Sequence, residues 1–321
     1  MDGYRAPWWL PGGHAQTIWA ARFSRRHAGE SPRFSRERWT TPDQDFIDVD
    51  VQADAPGAAW LVVFHGLEGS SDSQYIQSFA ATARAAGLNF AAPHFRGCSG
   101  ELNLAPRAYH SGDYIEVGWI LERLRERTHM PLLVAGVSLG GNALLRWTQE
   151  SGDAAARVAT AVAAICAPID LAAGGHALSR GVNRQVYTRM FLASMKPRAL
   201  AKLAQHPGLF DRDRLLGARD LYDFDNVFTA PLHGFSNTED YWSRASAKPH
   251  LGRIRIPALL LNSRNDPFVP AACLPVRSEV GPRVMLWQPA QGGHVGFPLG
   301  KPPGHVMTMP QAVVAWLRAQ V

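Results

Sequence analysis

Leu132-Leu133-Val134-Ala135 is followed by Gly136-Val137-Ser138-Leu139-Gly140 and then by Asn142-Ala143-Leu144-Leu145-Arg146-Trp147. The first stretch reads as a buried strand and the last as a helix, so a serine stands at the apex of the turn between them. A serine that must meet a substrate has to project from the tip of a sharp turn, which forces an unusual backbone angle on it. The flanking Gly136 and Gly140 fit that need, because strand and helix pass too close there to admit side chains. The five-residue pattern alone occurs by chance; the strand before it and the helix after it make Ser138 a candidate nucleophile.

Working outward, further strands flank this unit. Trp60-Leu61-Val62-Val63-Phe64 is a continuous apolar run, as expected for a strand covered on both faces. Phe46-Ile47-Asp48-Val49-Asp50-Val51 alternates and predicts a half-exposed strand. Leu88 to Pro93, Val158 to Ala167, Ile256 to Leu261 and Val284 to Trp287 complete the strand set. Helices are predicted over Ser73 to Ala86, Tyr114 to Arg127 and Gln311 to Gln320. In the Tyr114–Arg127 segment, Ile115, Ile120, Leu121 and Leu124 are the expected apolar side. Residues 1–45 show no clear periodicity. Strands alternating with helices imply an α/β protein with a mostly parallel sheet. The rhythm breaks between Asp170 and Gly252, where short helical pieces give way to aromatic loops around Tyr222, Phe224, Phe228, Phe235, Tyr241 and Trp242. Three parts follow: a core from 1 to 169 that carries the serine turn, an insertion from 170 to 252, and a returning core from 253 to 321.

A serine hydroxyl needs a base to take its proton and a third group to orient that base. The order compatible with this fold class is serine, then acid, then histidine. Leu259-Leu260-Leu261-Asn262-Ser263-Arg264-Asn265-Asp266-Pro267 places a carboxylate just past a buried strand, with Pro267 preventing continuation of the ladder. Asp266 is therefore the expected acid, although an Asp before Pro is also a common turn cap. Asp170 is the rival acid, since it too follows a strand. Gly292-Gly293-His294-Val295-Gly296 presents a histidine in the loop after the last strand, and His294 is the expected base. His305, beyond a proline-rich loop, is its rival. Backbone N–H groups should stabilise the anion of a tetrahedral intermediate. Leu139, directly after the serine, and Leu67, in His65-Gly66-Leu67-Glu68-Gly69-Ser70, are the expected donors. His65 and Glu68 read as organisers of that loop. The pair His206 and Asp211 matches an acyltransferase spacing that twelve histidines generate by chance. Gly97-Cys98-Ser99-Gly100 reads as a turn at the sheet edge rather than a reactive thiol.

Composition removes other classes. The 321 residues are 46% hydrophobic, enough for a large core. A net charge of +6 is spread over scattered arginines, so no nucleic-acid footprint is expected. Cys98, Cys166 and Cys273 form neither a disulfide framework nor a zinc pattern, which fits a reducing, cytoplasmic setting. Neither a signal peptide nor a transmembrane stretch is expected, and no metal or organic cofactor is implied.

Several segments together resemble the YheT-like branch of the α/β-hydrolases, which also contains animal abhydrolase-domain lipases. They are Pro7-Trp8-Trp9-Leu10-Pro11-Gly12-Gly13-His14-Ala15-Gln16-Thr17, His65 to Ser70, Arg96-Gly97-Cys98-Ser99-Gly100-Glu101, Tyr109-His110-Ser111-Gly112-Asp113 and Thr229-Ala230-Pro231-Leu232-His233-Gly234-Phe235. The likeness spans nearly the whole chain, and its first two motifs are the specific ones. It implies an α/β-hydrolase fold with a cap after the sixth strand, a serine hydrolase acting on carboxylic esters, acylglycerols among them, and a triad on Ser138, Asp266 and His294. The animal members carry a membrane anchor ahead of this domain; the chain here shows none, which favours a soluble esterase. His14 and His110 read as packing residues. Two other classes share the pattern: acyl transfer to an alcohol or amine, and a non-catalytic binding module.

Overall fold

The computed structural model describes Met1 and residues 3–321. Eight strands form one sheet: β1 Ser35–Thr40, β2 Phe46–Gln52, β3 Trp60–Phe64, β4 Asn89–Pro93, β5 Leu132–Val137, β6 Ala161–Ile165, β7 Ala258–Leu261 and β8 Val284–Trp287. Their spatial order is β1-β2-β4-β3-β5-β6-β7-β8. β1, β2 and β4 pair antiparallel, and the pairs from β4 through β3 to β8 are parallel.

Alternate residues of the central strands feed two apolar layers. Val62, Phe64 and Val134 face the helices α3, Tyr114–Arg127, and α4, Leu139–Ser151. Leu61, Val63, Leu133 and Ala135 face α2, Gln74–Ala85, and the C-terminal helix Thr308–Arg318. Coverage on both faces is why these strands carry no polar alternation. It also places the carboxyl ends of β3, β5, β6, β7 and β8 along one edge, where open α/β sheets bind ligands.

Four local features differ from the sequence reading. Phe46–Gln52 is buried from end to end instead of half-exposed. Its two aspartates are satisfied by cations of the neighbouring strand β1: Asp48 accepts from Arg38 Nε and Nη2 at 2.8 and 2.9 Å, and Asp50 from Arg36 Nε and Nη2 at 2.7 and 2.8 Å. On α3, Ile115 points to solvent, and the buried face is Val117, Ile120, Leu121 and Leu124. The N-terminal region without periodicity folds into β1 and a helix, α1, at Gly12–Arg22. Both are held by tertiary contacts: α1 has only Gln16, Thr17 and Ala20 buried, too few for a readable stripe. The closing helix spans Thr308–Arg318 and so begins three residues earlier than expected.

Between β6 and β7 the chain forms helices joined by short loops and no strand, from Leu171–Leu178 to the short turn at Lys248–Arg253. The longest piece is the Arg189–Gln205 helix. Phe224 and Phe228 pack with Leu192, Met195 and Leu215 into a small apolar cluster of their own.

Candidate active site

The turn after β5 has the geometry that its residues dictate. Ser138 adopts φ 53° and ψ −119°, a left-handed conformation rare for a residue with a side chain. It caps α4, and its N–H donates to Ile165 O of β6 at 2.8 Å. A Cβ on Gly136 would lie 2.4 Å from Gly140 O, and one on Gly140 would lie 2.4 Å from His65 O. Neither gap can be relieved without moving backbone, so both positions exclude side chains.

Asp266 lies in the loop after β7 and His294 in the loop after β8. His294 Nδ1 is 2.9 Å from Asp266 Oδ2, and His294 Nε2 is 3.0 Å from Ser138 Oγ. With the proton on Nδ1 donated to the carboxylate, Nε2 is free to accept from the serine hydroxyl. The other oxygen of Asp266, Oδ1, accepts from the N–H groups of Phe268 at 2.7 Å and Val269 at 3.2 Å. The Phe268 ring stacks on the imidazole with centroids 4.1 Å apart. Cys166 Sγ, the Asp266 carboxylate and His294 lie within 4.8 Å of one another, the only such donor cluster among the described residues. Burial pushes the Cys166 thiol well up, which keeps it protonated and a poor metal ligand.

Leu67 and Leu139 both line the cavity at Ser138, and neither N–H has an acceptor among the described residues. The loop carrying Leu67 is tied down on both sides. His65 Nδ1–H donates to Gly66 O at 2.7 Å, and its Nε2 accepts from Phe95 N–H at 3.0 Å. Burial pushes His65 down to about 3, so the ring is neutral at pH 7 and is consumed by these two bonds. Glu68 N–H donates to Tyr109 Oη at 2.9 Å.

The rival residues are engaged elsewhere. Asp170 caps the Leu171–Leu178 helix by accepting from Ala173 N–H at 3.0 Å. His305 bridges Leu299 in the loop ahead of the C-terminal helix. His206 Nε2 bonds Leu104 O at 2.8 Å, and Asp211 caps a short helix through Arg214 N–H. Cys98 is buried, and burial pushes its thiol up to about 11.

A second set of residues supports the site, and sequence reasoning had given them no role. Gln16 Oε1 accepts from Asn265 Nδ2 and from Gly292 N–H, each at 2.9 Å, which ties the acid loop to the histidine loop. Thr17 Oγ1 accepts from His294 N–H at 2.8 Å and donates to Gly13 O at 2.7 Å. A Cβ on Gly296 would sit 2.4 Å from Gln16 O, so the histidine loop is pressed directly against α1. The signal was the Gly13-His14-Ala15-Gln16-Thr17 motif itself. His14 stacks on Tyr187 of the insertion and bonds its hydroxyl at 3.0 Å; His110 packs between His233, Phe235 and Tyr241.

Ser138 and His294 open into a cavity of about 1120 Å³, counting its mouth. Much of its wall comes from the insertion, through Leu171, Leu178, Phe191, Met195, Phe224 and Phe228. Of the aromatic residues noted in the sequence, Tyr241 and Trp242 also reach the wall, whereas Tyr222 and Phe235 do not.

The model of the α/β-hydrolase fold family matches residues 59–301. The Escherichia coli (strain K12) protein named "Putative esterase YheT" is 37% identical over 290 residues, covering 88% of this chain and 84% of that protein. Human "Phospholipase ABHD3" is 26% identical over 286 residues, covering 86% and 68%. Among solved structures, α/β hydrolase domain-containing protein 10 from mouse superposes with a TM-score of 0.57 at 14% identity, covering 89% of this chain and 100% of that one, a likeness of fold. Family match, identity and sheet order agree, and the chain belongs to the α/β-hydrolase fold family, in the branch that contains YheT.

Proposed function

We propose that this chain hydrolyses carboxylic esters through an acyl-enzyme formed on Ser138. Ser138 Oγ attacks the ester carbonyl as His294 Nε2 takes its proton. The imidazolium that forms is held by Asp266, which also keeps the proton of the neutral ring on Nδ1. The carbonyl oxygen becomes an anion and is received by the Leu67 and Leu139 N–H groups. His294 then returns the proton to the leaving alkoxide, and the alcohol departs. Water enters, gives a proton to His294 and adds to the acyl carbon. Collapse releases the acid and restores the serine hydroxyl.

The observation that carries this reading is the pair of bonds from one imidazole, 2.9 Å to Asp266 and 3.0 Å to Ser138. The esterase and phospholipase names of the relatives support the same chemistry. The segment 170–252 serves as a cap, and its apolar wall takes the acyl chain of short and medium-chain esters, acylglycerols among them. No helix is long and apolar enough to cross a membrane among the described residues. The three cysteines are free and buried, which supports a reducing compartment.

Hydrolysis of p-nitrophenyl butyrate by purified wild type and Ser138→Ala tests the reading. The variant should lose on the order of 10⁴- to 10⁶-fold in turnover with an unchanged melting temperature. Near-normal turnover in the variant refutes it.

A further inference from the structure

We propose that Phe268 is a positioning residue that acts through His294: the face of its ring holds the imidazole in place and stabilises the imidazolium that forms at each proton transfer. The inference rests on the reading of His294 as the base and deepens it.

Phe268 stands two residues after Asp266 and touches both acid and base. Its N–H donates to Asp266 Oδ1 at 2.7 Å, and its ring lies on the imidazole with centroids 4.1 Å apart and planes 25° from parallel. The Phe268 ring is itself held from the insertion. Tyr187 makes a T-shaped contact with it at 4.6 Å between centroids, and Phe191 makes another at 5.9 Å. The Tyr187 hydroxyl is anchored in turn on His14 Nδ1 of α1 at 3.0 Å. Leu178 and Leu274 belong to the same apolar cluster, and Phe268 is buried in it.

The surroundings of the imidazole say what the stacked ring does. Both nitrogens are engaged in the plane of the ring, one with Asp266 and the other with Ser138. A positive charge on His294 can gain further only through the faces of the ring, and Phe268 covers one of them. The face of a benzene ring is the negative pole of its quadrupole and attracts a cation within about 6 Å of its centre. A neutral imidazole is attracted less, so the contact strengthens as His294 takes the serine proton. An interaction stronger in the transition state than in the ground state raises the rate. The His294 side chain is only 10% exposed, so water screens little of this attraction. The neighbouring titratable groups leave the role to Phe268 and Asp266. Burial keeps the Cys166 thiol beside Asp266 protonated, and burial pushes the Tyr187 hydroxyl up to about 12, so both stay neutral.

The test replaces Phe268 with 4-fluoro-, 3,5-difluoro- and 3,4,5-trifluorophenylalanine, which nearly keep the shape of the ring while weakening its negative face step by step. Phe268→Leu removes the ring and keeps the backbone N–H that bonds Asp266. Turnover of p-nitrophenyl butyrate is read on the plateau of the pH profile, with melting temperatures as the check on folding. kcat should fall with each added fluorine and reach a loss of about 3- to 30-fold in Phe268→Leu. KM should change by less than about twofold across the fluorinated series, because acylation and deacylation both pass through the imidazolium. A kcat that stays at the wild-type level across the folded fluorinated series overturns the proposal, even where Phe268→Leu is slow, since a ring that only packs does not sense its quadrupole. If Phe268→Leu does not fold, the fluorinated series decides alone. Labelling of wild-type Ser138 by a fluorophosphonate separates the two levels. Labelled, active wild type with a flat series sinks only this inference, whereas absence of labelling and hydrolysis sinks the reading of the triad and this one with it.

Discussion

A hydroxyl, an imidazole and a carboxylate have little chemistry apart, and the site depends on their spacing. Ser138, His294 and Asp266 come from the ends of β5, β8 and β7, and two hydrogen bonds join them. Each was legible in the sequence for one reason: an apolar strand stopped, and the next loop held a residue of the required type in the required order. Asp170 met the same description, and sequence alone could only rank it lower. Its carboxylate instead caps a helix through Ala173 N–H. Exchanging each acid for its amide separates the two. Asp266→Asn should lower kcat by roughly 10⁴-fold, because the amide favours the wrong histidine tautomer. Asp170→Asn should cost little activity, since it weakens one cap worth about 1 kcal/mol. Steady-state rates on p-nitrophenyl butyrate decide it, and a larger loss for Asp170→Asn would reverse the assignment.

At the scale of elements, strands covered on both faces were the most readable parts of the chain, because burial leaves no polar residue to interrupt the apolar run. β2 was misjudged for the complementary reason. Asp48 and Asp50 signal an exposed face until Arg36 and Arg38 of β1 are known to lie across from them. α1 was invisible for a further reason: two of its three buried residues, Gln16 and Thr17, are polar, and their partners lie 249 to 277 residues away in sequence. No local pattern encodes such contacts. α1 nevertheless bonds both loops that carry Asp266 and His294. Thr17→Val preserves shape but removes the acceptor of His294 N–H. Misplacement of the imidazole should lower kcat/KM by roughly 10- to 100-fold while the protein still folds. Unchanged kcat/KM in the folded variant would mean that the loop holds its histidine without α1.

Taken as a whole, the molecule sets a regular sheet beneath an irregular helical insertion. The sheet follows from periodicity, and the insertion does not, because its short helices are fixed by contacts with one another and with the loops below. One consequence of that packing is a buried acid. Asp225 accepts from Trp242 Nε1 at 2.8 Å inside the insertion, and burial pushes its carboxyl up to about 6 from 3.8. A raised acid favours the protonated folded state, so its contribution to stability is complete below pH 3.8 and is lost as pH rises through about 6. Asp225→Asn removes this titration. Relative to wild type, the variant should gain on the order of 2 kcal/mol in unfolding free energy between pH 4 and pH 7. Urea midpoints at the two pH values measure this, and a difference that does not change with pH would contradict the burial of a titrating acid there. Intact-mass spectrometry after brief exposure to a fluorophosphonate reads whether core and insertion together present one activated serine. A single adduct should form, map to the peptide holding Ser138, and be absent from Ser138→Ala and strongly slowed in Asp266→Asn. An unmodified wild type, or an adduct that persists in Ser138→Ala, would contradict the account.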